Sequence, residues 1–132
     1  MKHAFKQKVY YADTDAYGVV WHGSYLRWLE MGRVLYCEEK LGYKLSELEK
    51  LDITIPVVEL NVQYKHPARL DEIVTINTQV IKKEKFYMVF KQDILDENEE
   101  KTYITATVKV VAIHNNGHLY RSLPEQLLGM IR

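Results

Sequence analysis

"DTDAYGVVWHGSYLRWLEMGRVLYCEEKLG", Asp13 to Gly42, runs from a loop into the longest helix-like stretch of the chain. Its opening residues hold two aspartates and a glycine with no regular period, which reads as a loop. From about Ser24 the pattern changes. Leu26, Leu29, Arg33, Tyr36 and Leu41 recur at steps of three and four, the spacing of an α-helix of about 17 residues. Ser24 or a close neighbour is the candidate N-cap, and Gly42 suits the left-handed position that ends a helix.

Before this stretch, "FKQKVYY" (Phe5 to Tyr11) carries enough β-formers to predict a first strand. After it, "LSELEKL" predicts a short second helix. Beyond Ile55 the period falls to two. Val58, Leu60, Val62 and Tyr64 alternate with polar neighbours, and so do Val74, Ile76 and Val80. Phe86, Met88, Phe90 and Ile94 share one face of a further strand. Ile104, Ala106, Val108, Val110 and Ala112 share one face of the last. "DENEE" and "NNG" bound that final strand, and Ser122 with Glu125 has capping-box spacing for a short terminal helix. The element order predicts one α+β domain over residues 1–132, an antiparallel sheet of about five strands with one long helix across a face. Its edges and second face need cover, which predicts association.

With 132 residues the chain suits a single domain. Eighteen basic residues balance eighteen acidic ones, so no field points to nucleic acid or to an acidic membrane face. Cys37 is the lone cysteine, which excludes an intrachain disulfide and suits a reducing compartment. No secretory h-region and no run of about 18 apolar residues is present, so a cytoplasmic protein without a membrane span is expected.

Paired aspartates raise three readings. As a calcium loop starting at Asp13, the stretch has Tyr17 at position five and Ser24 at position twelve, where oxygen ligands are required. Zinc held by Asp13, Asp15 and His22 lacks any recognised ligand spacing, so no metal site is expected. Capping and turn formation is the bland role of such a pair, and it suits Asp13. The third reading is chemical. A helix start offers unpaired N–H groups and partial positive charge to a developing oxyanion, and an acid held beside it is half of a hydrolytic site.

"DTDAYGVVWHGSYLRWLE" also resembles the signature of the 4-hydroxybenzoyl-CoA thioesterase family of hotdog-fold enzymes. Thr14-Asp15, Gly18, Val19-Val20, His22 and Tyr25 fill that pattern in order, and His22 makes the chain most similar to the Tol-Pal-associated branch. The resemblance implies a hotdog fold, a sheet wrapped around one long helix, in a homodimer or homotetramer. It implies an acyl-CoA substrate and no cofactor, coenzyme A being part of that substrate. Asp15 is implied as nucleophile or general base, and the backbone N–H of His22 as the group that polarises the thioester oxygen. Whether the His22 side chain binds substrate or is structural stays open. Tyr17, Trp21, Tyr25 and Trp28 are candidates to line the acyl pocket, with core packing as the other role open to them, and Gly18 and Gly23 are substrate-binding candidates through their backbone. Three basic spots are candidates for the coenzyme phosphates: Lys82 and Lys83 with Lys85, Lys65 with His66 and Arg69, and Arg121. Two alternatives stand beside this reading: a non-catalytic acyl-binding or scaffold module, and a thioesterase acting on acyl carrier protein. The retained Asp15 favours catalysis, because acyl binding alone needs no carboxylate there.

Overall fold

A computed structural model describes residues 2–131. Five antiparallel strands form one sheet: β1 (His3–Lys8), β2 (Val57–Tyr64), β3 (Ile73–Lys83), β4 (Tyr87–Asp96) and β5 (Thr102–Val111). Their spatial order is β1-β3-β4-β5-β2. Helix α1 (His22–Leu41) lies across one face, giving the α+β hotdog arrangement that the resemblance implies.

The period-two residues of β4 and β5 form the core face, except Phe86, which lies before the start of β4 and is exposed. Met88, Phe90 and Ile94 are buried with Ile104, Ala106, Val108, Val110 and Ala112. They divide into two apolar clusters. One gathers Tyr25, Trp28 and Leu29 of α1 against Val74, Ile76 and Ile94. The other gathers Tyr36 and Cys37 against Met88, Phe90 and Leu127. Between them lies a polar band. Gln92 is fully buried and donates through Nε2 to Thr78 Oγ1 (2.8 Å) and to Leu29 O (2.8 Å). Its Oε1 accepts from Arg33 (2.9 Å). Gly32 lets the helix approach at this band, since a Cβ there would sit 2.7 Å from Thr78 Oγ1 and 2.9 Å from Ile76 Cγ2.

Local details depart from the sequence reading. The first strand ends at Lys8 rather than Tyr11, because Val9 turns into the core and Tyr11–Asp13 forms a 3₁₀ turn. Helix α1 starts at His22 with Trp21 as N-cap, not at Ser24. The Ser24 hydroxyl is taken instead by the Asp13 carbonyl (3.0 Å). Gly42 ends the helix as expected, with φ +76° and its N–H on Glu38 O (2.9 Å). "LSELEKL" makes two 3₁₀ turns, Leu45–Glu47 and Glu49–Leu51, instead of a helix. The last element is a 3₁₀ segment, Glu125–Ile131, that starts three residues past Ser122. Its first bond runs from Leu127 N–H to Pro124 O, so Ser122 caps nothing there. β2 is an edge strand whose Val57, Val58, Leu60 and Tyr64 stay exposed in the single chain.

Candidate active site

Asp13 and Asp15, two positions apart, occupy different environments. Asp13 is buried, and its carboxylate and carbonyl tie the loop together and fasten it to the start of α1. Its carboxylate takes the Tyr10 N–H (2.9 Å) and the Arg27 guanidinium, and its carbonyl takes the Trp21 N–H (2.8 Å) and the Ser24 hydroxyl. Asp13 is thus a structural anchor.

Asp15 opens a tight hairpin between Thr14 and Val20, which pair as an isolated bridge. Asp15 N–H bonds to Val19 O (2.9 Å), and Gly18 N–H bonds to Asp15 O (3.1 Å). Gly18 has φ +75°, the left-handed residue that a three-residue hairpin loop needs after its turn. Asp15 Oδ1 accepts the Tyr17 N–H (2.8 Å), which fixes the half-buried carboxylate in an Asx turn. Its second oxygen accepts nothing from the described residues.

Val20 is then held by its N–H on Ala68 O (2.8 Å), and the chain enters α1 one residue later. No side chain caps this helix start. The N–H groups of His22 and Gly23 precede the first bonded donor of the helix start, Ser24 N–H on Trp21 O (2.9 Å), so they are open to a ligand, and the helix dipole adds partial positive charge. Gly23 has a packing reason as well. A Cβ there would come within 2.0 Å of the Trp21 ring, which folds over it.

A cavity of about 280 Å³ joins these elements. Asp15, Val20, His22 and Tyr25 line one side, and Tyr64, Lys65, His66 and Pro67 line the other. Tyr25 is buried, and its hydroxyl accepts the Ala68 N–H (2.9 Å). Burial raises its phenol above the ordinary tyrosine value, so it stays protonated at neutral pH. Tyr64 donates its hydroxyl to His22 O (3.4 Å) from the end of β2.

Among the residues singled out in the sequence, Asp15, His22, Tyr25 and Lys65 meet around this cavity. Tyr17 and Gly18 form the exposed tip of the loop, and Trp21 and Gly23 flank the helix start without lining the cavity. Lys82, Lys83 and Arg121 lie elsewhere. Lys83 pairs with Met88 at the far end of β3, roughly 30 Å along the strand from its start at Ile73. Lys82 sits over the Tyr87 ring (5.7 Å) and pairs with Glu84 (3.8 Å). Arg121 lies at that same end, two residues before Leu123, whose N–H bonds to Lys85 O. His66, from the basic cluster with Lys65, and Val20, from the signature, line the cavity as well, whereas Tyr64 and Pro67 are lining residues that sequence reasoning did not select as site residues. Their signal was the break at Pro67 just after the last alternating residue of β2, which turns that strand end toward α1.

Among the described residues no group of three or more His, Cys, Asp or Glu is placed to hold a metal ion. No helix there is long and apolar enough to cross a membrane.

Comparison with known proteins gives a consistent result. The profile of the thioesterase-like superfamily matches residues 9–130. The acyl-CoA thioester hydrolase YbgC of Escherichia coli is 33% identical over 92% of this chain and 89% of that protein. Protein sll0410 of Synechocystis is 35% identical over 84% of this chain and 67% of its own length. Among solved structures, the DHNA-CoA thioesterase of Staphylococcus aureus superposes with a TM-score of 0.83 at 32% identity, over 91% of this chain and 80% of that one.

Proposed function

The chain belongs to the thioesterase-like superfamily, and on that premise we propose that it hydrolyses the thioester of a small or medium acyl-CoA to the free acid and coenzyme A. One observation carries the reading. A half-buried carboxylate with a free oxygen, Asp15, shares a cavity with the uncapped start of a 20-residue helix.

The two features divide the chemistry. Attack on the thioester carbonyl needs a nucleophile or a base that activates water, and Asp15 supplies either. The carbonyl oxygen then gains negative charge. The N–H groups of His22 and Gly23, with the dipole of α1 behind them, are the donors for it; losing one such donor typically costs about 3 kcal/mol in other enzymes. Tyr64, Lys65 and His66 form the opposite wall, with Lys65 as the cation for a phosphate of the substrate.

A second copy of the chain belongs to the proposal. β2 is an edge strand with exposed apolar residues, and its pairing with β2 of another copy covers both. An antiparallel pairing turns the Lys82 and Lys83 end of one copy toward the Asp15 end of the other, so those cations serve the neighbouring site. The deciding experiment measures free thiol released from a panel of acyl-CoAs by the wild type and by Asp15→Asn. Release by the wild type that the substitution leaves unchanged would sink the assignment of Asp15. No release from any acyl-CoA would sink the function itself, with acyl carrier protein thioesters as the next substrates to try.

A further inference from the structure

Arg33 is a cation at a core position. It lies one helical turn after Leu29 and one before Cys37, both buried, so it points at the sheet rather than at solvent. A guanidinium carries five N–H donors. One goes to Gln92 Oε1 (2.9 Å), and no carboxylate of the described residues lies within ion-pair range. Gln92 Oε1 has two lone pairs and can accept at most one bond more, and its Nε2 is itself a donor, to Thr78 and Leu29, so at least three of the five donors are left for another partner. Burial lowers the pKa of Arg33 from its ordinary value, the mark of a charge held away from water without full compensation.

Arg33 opens into a second cavity, of about 290 Å³, distinct from the one at Asp15. The remaining wall is mostly apolar: Val34, Cys37, Leu45, Ile55, Val57, Phe90 and Val110. Glu30, one turn before Arg33, is the other charged group on the rim. It is exposed, so water screens it, whereas the guanidinium is partly desolvated. An anion in the cavity therefore meets a strong cation and a weak repulsion. At about 30 Å³ per water-sized group the space holds about ten non-hydrogen atoms.

We propose that this cavity binds an aliphatic or aryl chain ending in a carboxylate, the chain among Val34, Phe90 and Val110 and the carboxylate on the free donors of Arg33. The carboxylate belongs either to a free acid or to the far end of an acyl group whose thioester lies at Asp15. The second source rests on the function proposed above, and on pairing through β2, which sets the Val57 end of one copy beside the partner's Tyr64.

The test uses octanoate as probe and the intact protein. Calorimetry is expected to show octanoate binding at least tenfold more tightly than octanol. Arg33→Met keeps the apolar stem and removes the charge, and is expected to weaken octanoate at least tenfold while leaving octanol unchanged. Equal affinity for the two ligands, or unchanged octanoate binding in Arg33→Met, overturns the proposal. Should Arg33→Met fail to fold by circular dichroism, Val34→Phe fills the cavity without touching the guanidinium; it must abolish octanoate binding, and persistence overturns the proposal.

A second arm separates the sources by comparing hydrolysis of hexanoyl and ω-carboxyhexanoyl thioesters. A tenfold preference for the carboxylated chain that disappears in Arg33→Met identifies the acyl tail as the ligand. Octanoate binding without that preference identifies the free acid. If the wild type hydrolyses no thioester, the function reading fails while the octanoate measurement still decides this one.

Discussion

Arg27, in the second turn of α1, reaches back to the buried carboxylate of Asp13 and clamps the loop that presents Asp15 to the start of the same helix. The pair separates two roles that sit two residues apart in the chain. Asp13→Asn leaves Arg27 without its counter-charge and keeps only a weaker acceptor for the Tyr10 N–H. Because Arg27 is itself largely exposed, the cost is set by the buried hydrogen bonds, about 1–3 kcal/mol. Urea unfolding should show that loss; unchanged stability would remove Asp13 from its anchoring role.

Asp15→Asn should behave in the opposite way. Its carboxylate makes one local bond, to the Tyr17 N–H, so folding should stay near wild type. Thioester turnover should fall by about a hundredfold or more, the usual scale for losing a base or nucleophile. Full turnover in Asp15→Asn together with a dead, folded Asp13→Asn would show that the wrong acid was chosen.

Position 22 allows the oxyanion donor to be removed without breaking the helix. His22 is the first helical residue, where proline is well tolerated, and Trp21 before it has φ −68° and ψ 139°, the extended region that precedes proline comfortably. His22→Pro should therefore fold by circular dichroism yet lose turnover by roughly a hundredfold, as its N–H is gone. His22→Ala keeps the N–H and should lose far less. Equal activity in both folded variants would move the oxyanion elsewhere, and an inactive His22→Ala would make the imidazole itself catalytic.

Gly32→Ala sets helix propensity against packing. Alanine favours a helix over glycine by about 1 kcal/mol. The added Cβ meets Thr78 Oγ1 at 2.7 Å, Ile76 Cγ2 at 2.9 Å and Gln92 Nε2 at 3.0 Å, and overpacking of that kind costs about 1–3 kcal/mol. Packing should win by about 1 kcal/mol in urea unfolding. A stabilised Gly32→Ala would mean that α1 shifts freely on the sheet.

Pairing through β2 is open to a direct test. Leu60 lies mid-strand, 44% exposed, where two antiparallel copies would bring their equivalents together. Light scattering of the wild type should give at least twice the 15.6 kDa chain mass, and Leu60→Lys should lower it by placing like charges opposite each other. A wild type of single-chain mass that retains activity would end the proposal of a shared site.

What the sequence determined by itself was whatever neighbouring residues decide among themselves. The alternation Ile104 to Ala112, the stop at Gly42 and the loop around Asp15 and Gly18 depend on backbone preferences and periods that a few residues carry. The tertiary structure decided everything that needs a partner from far along the chain. Ser24 looks like a cap until the Asp13 carbonyl, eleven residues earlier, takes its hydroxyl. Gln92 looks like a polar gap in the apolar stripe of its strand until Thr78, the Leu29 carbonyl and Arg33 engage its amide in the core. Lys65 and Lys82 look equivalent as surface cations, yet β3 carries one away from the cavity while the end of β2 delivers the other, with Tyr64 and His66, to the side facing Asp15. The physical reason is range: backbone propensity acts over a turn or a pleat, while hydrogen-bond satisfaction and burial act only after folding has brought distant residues together.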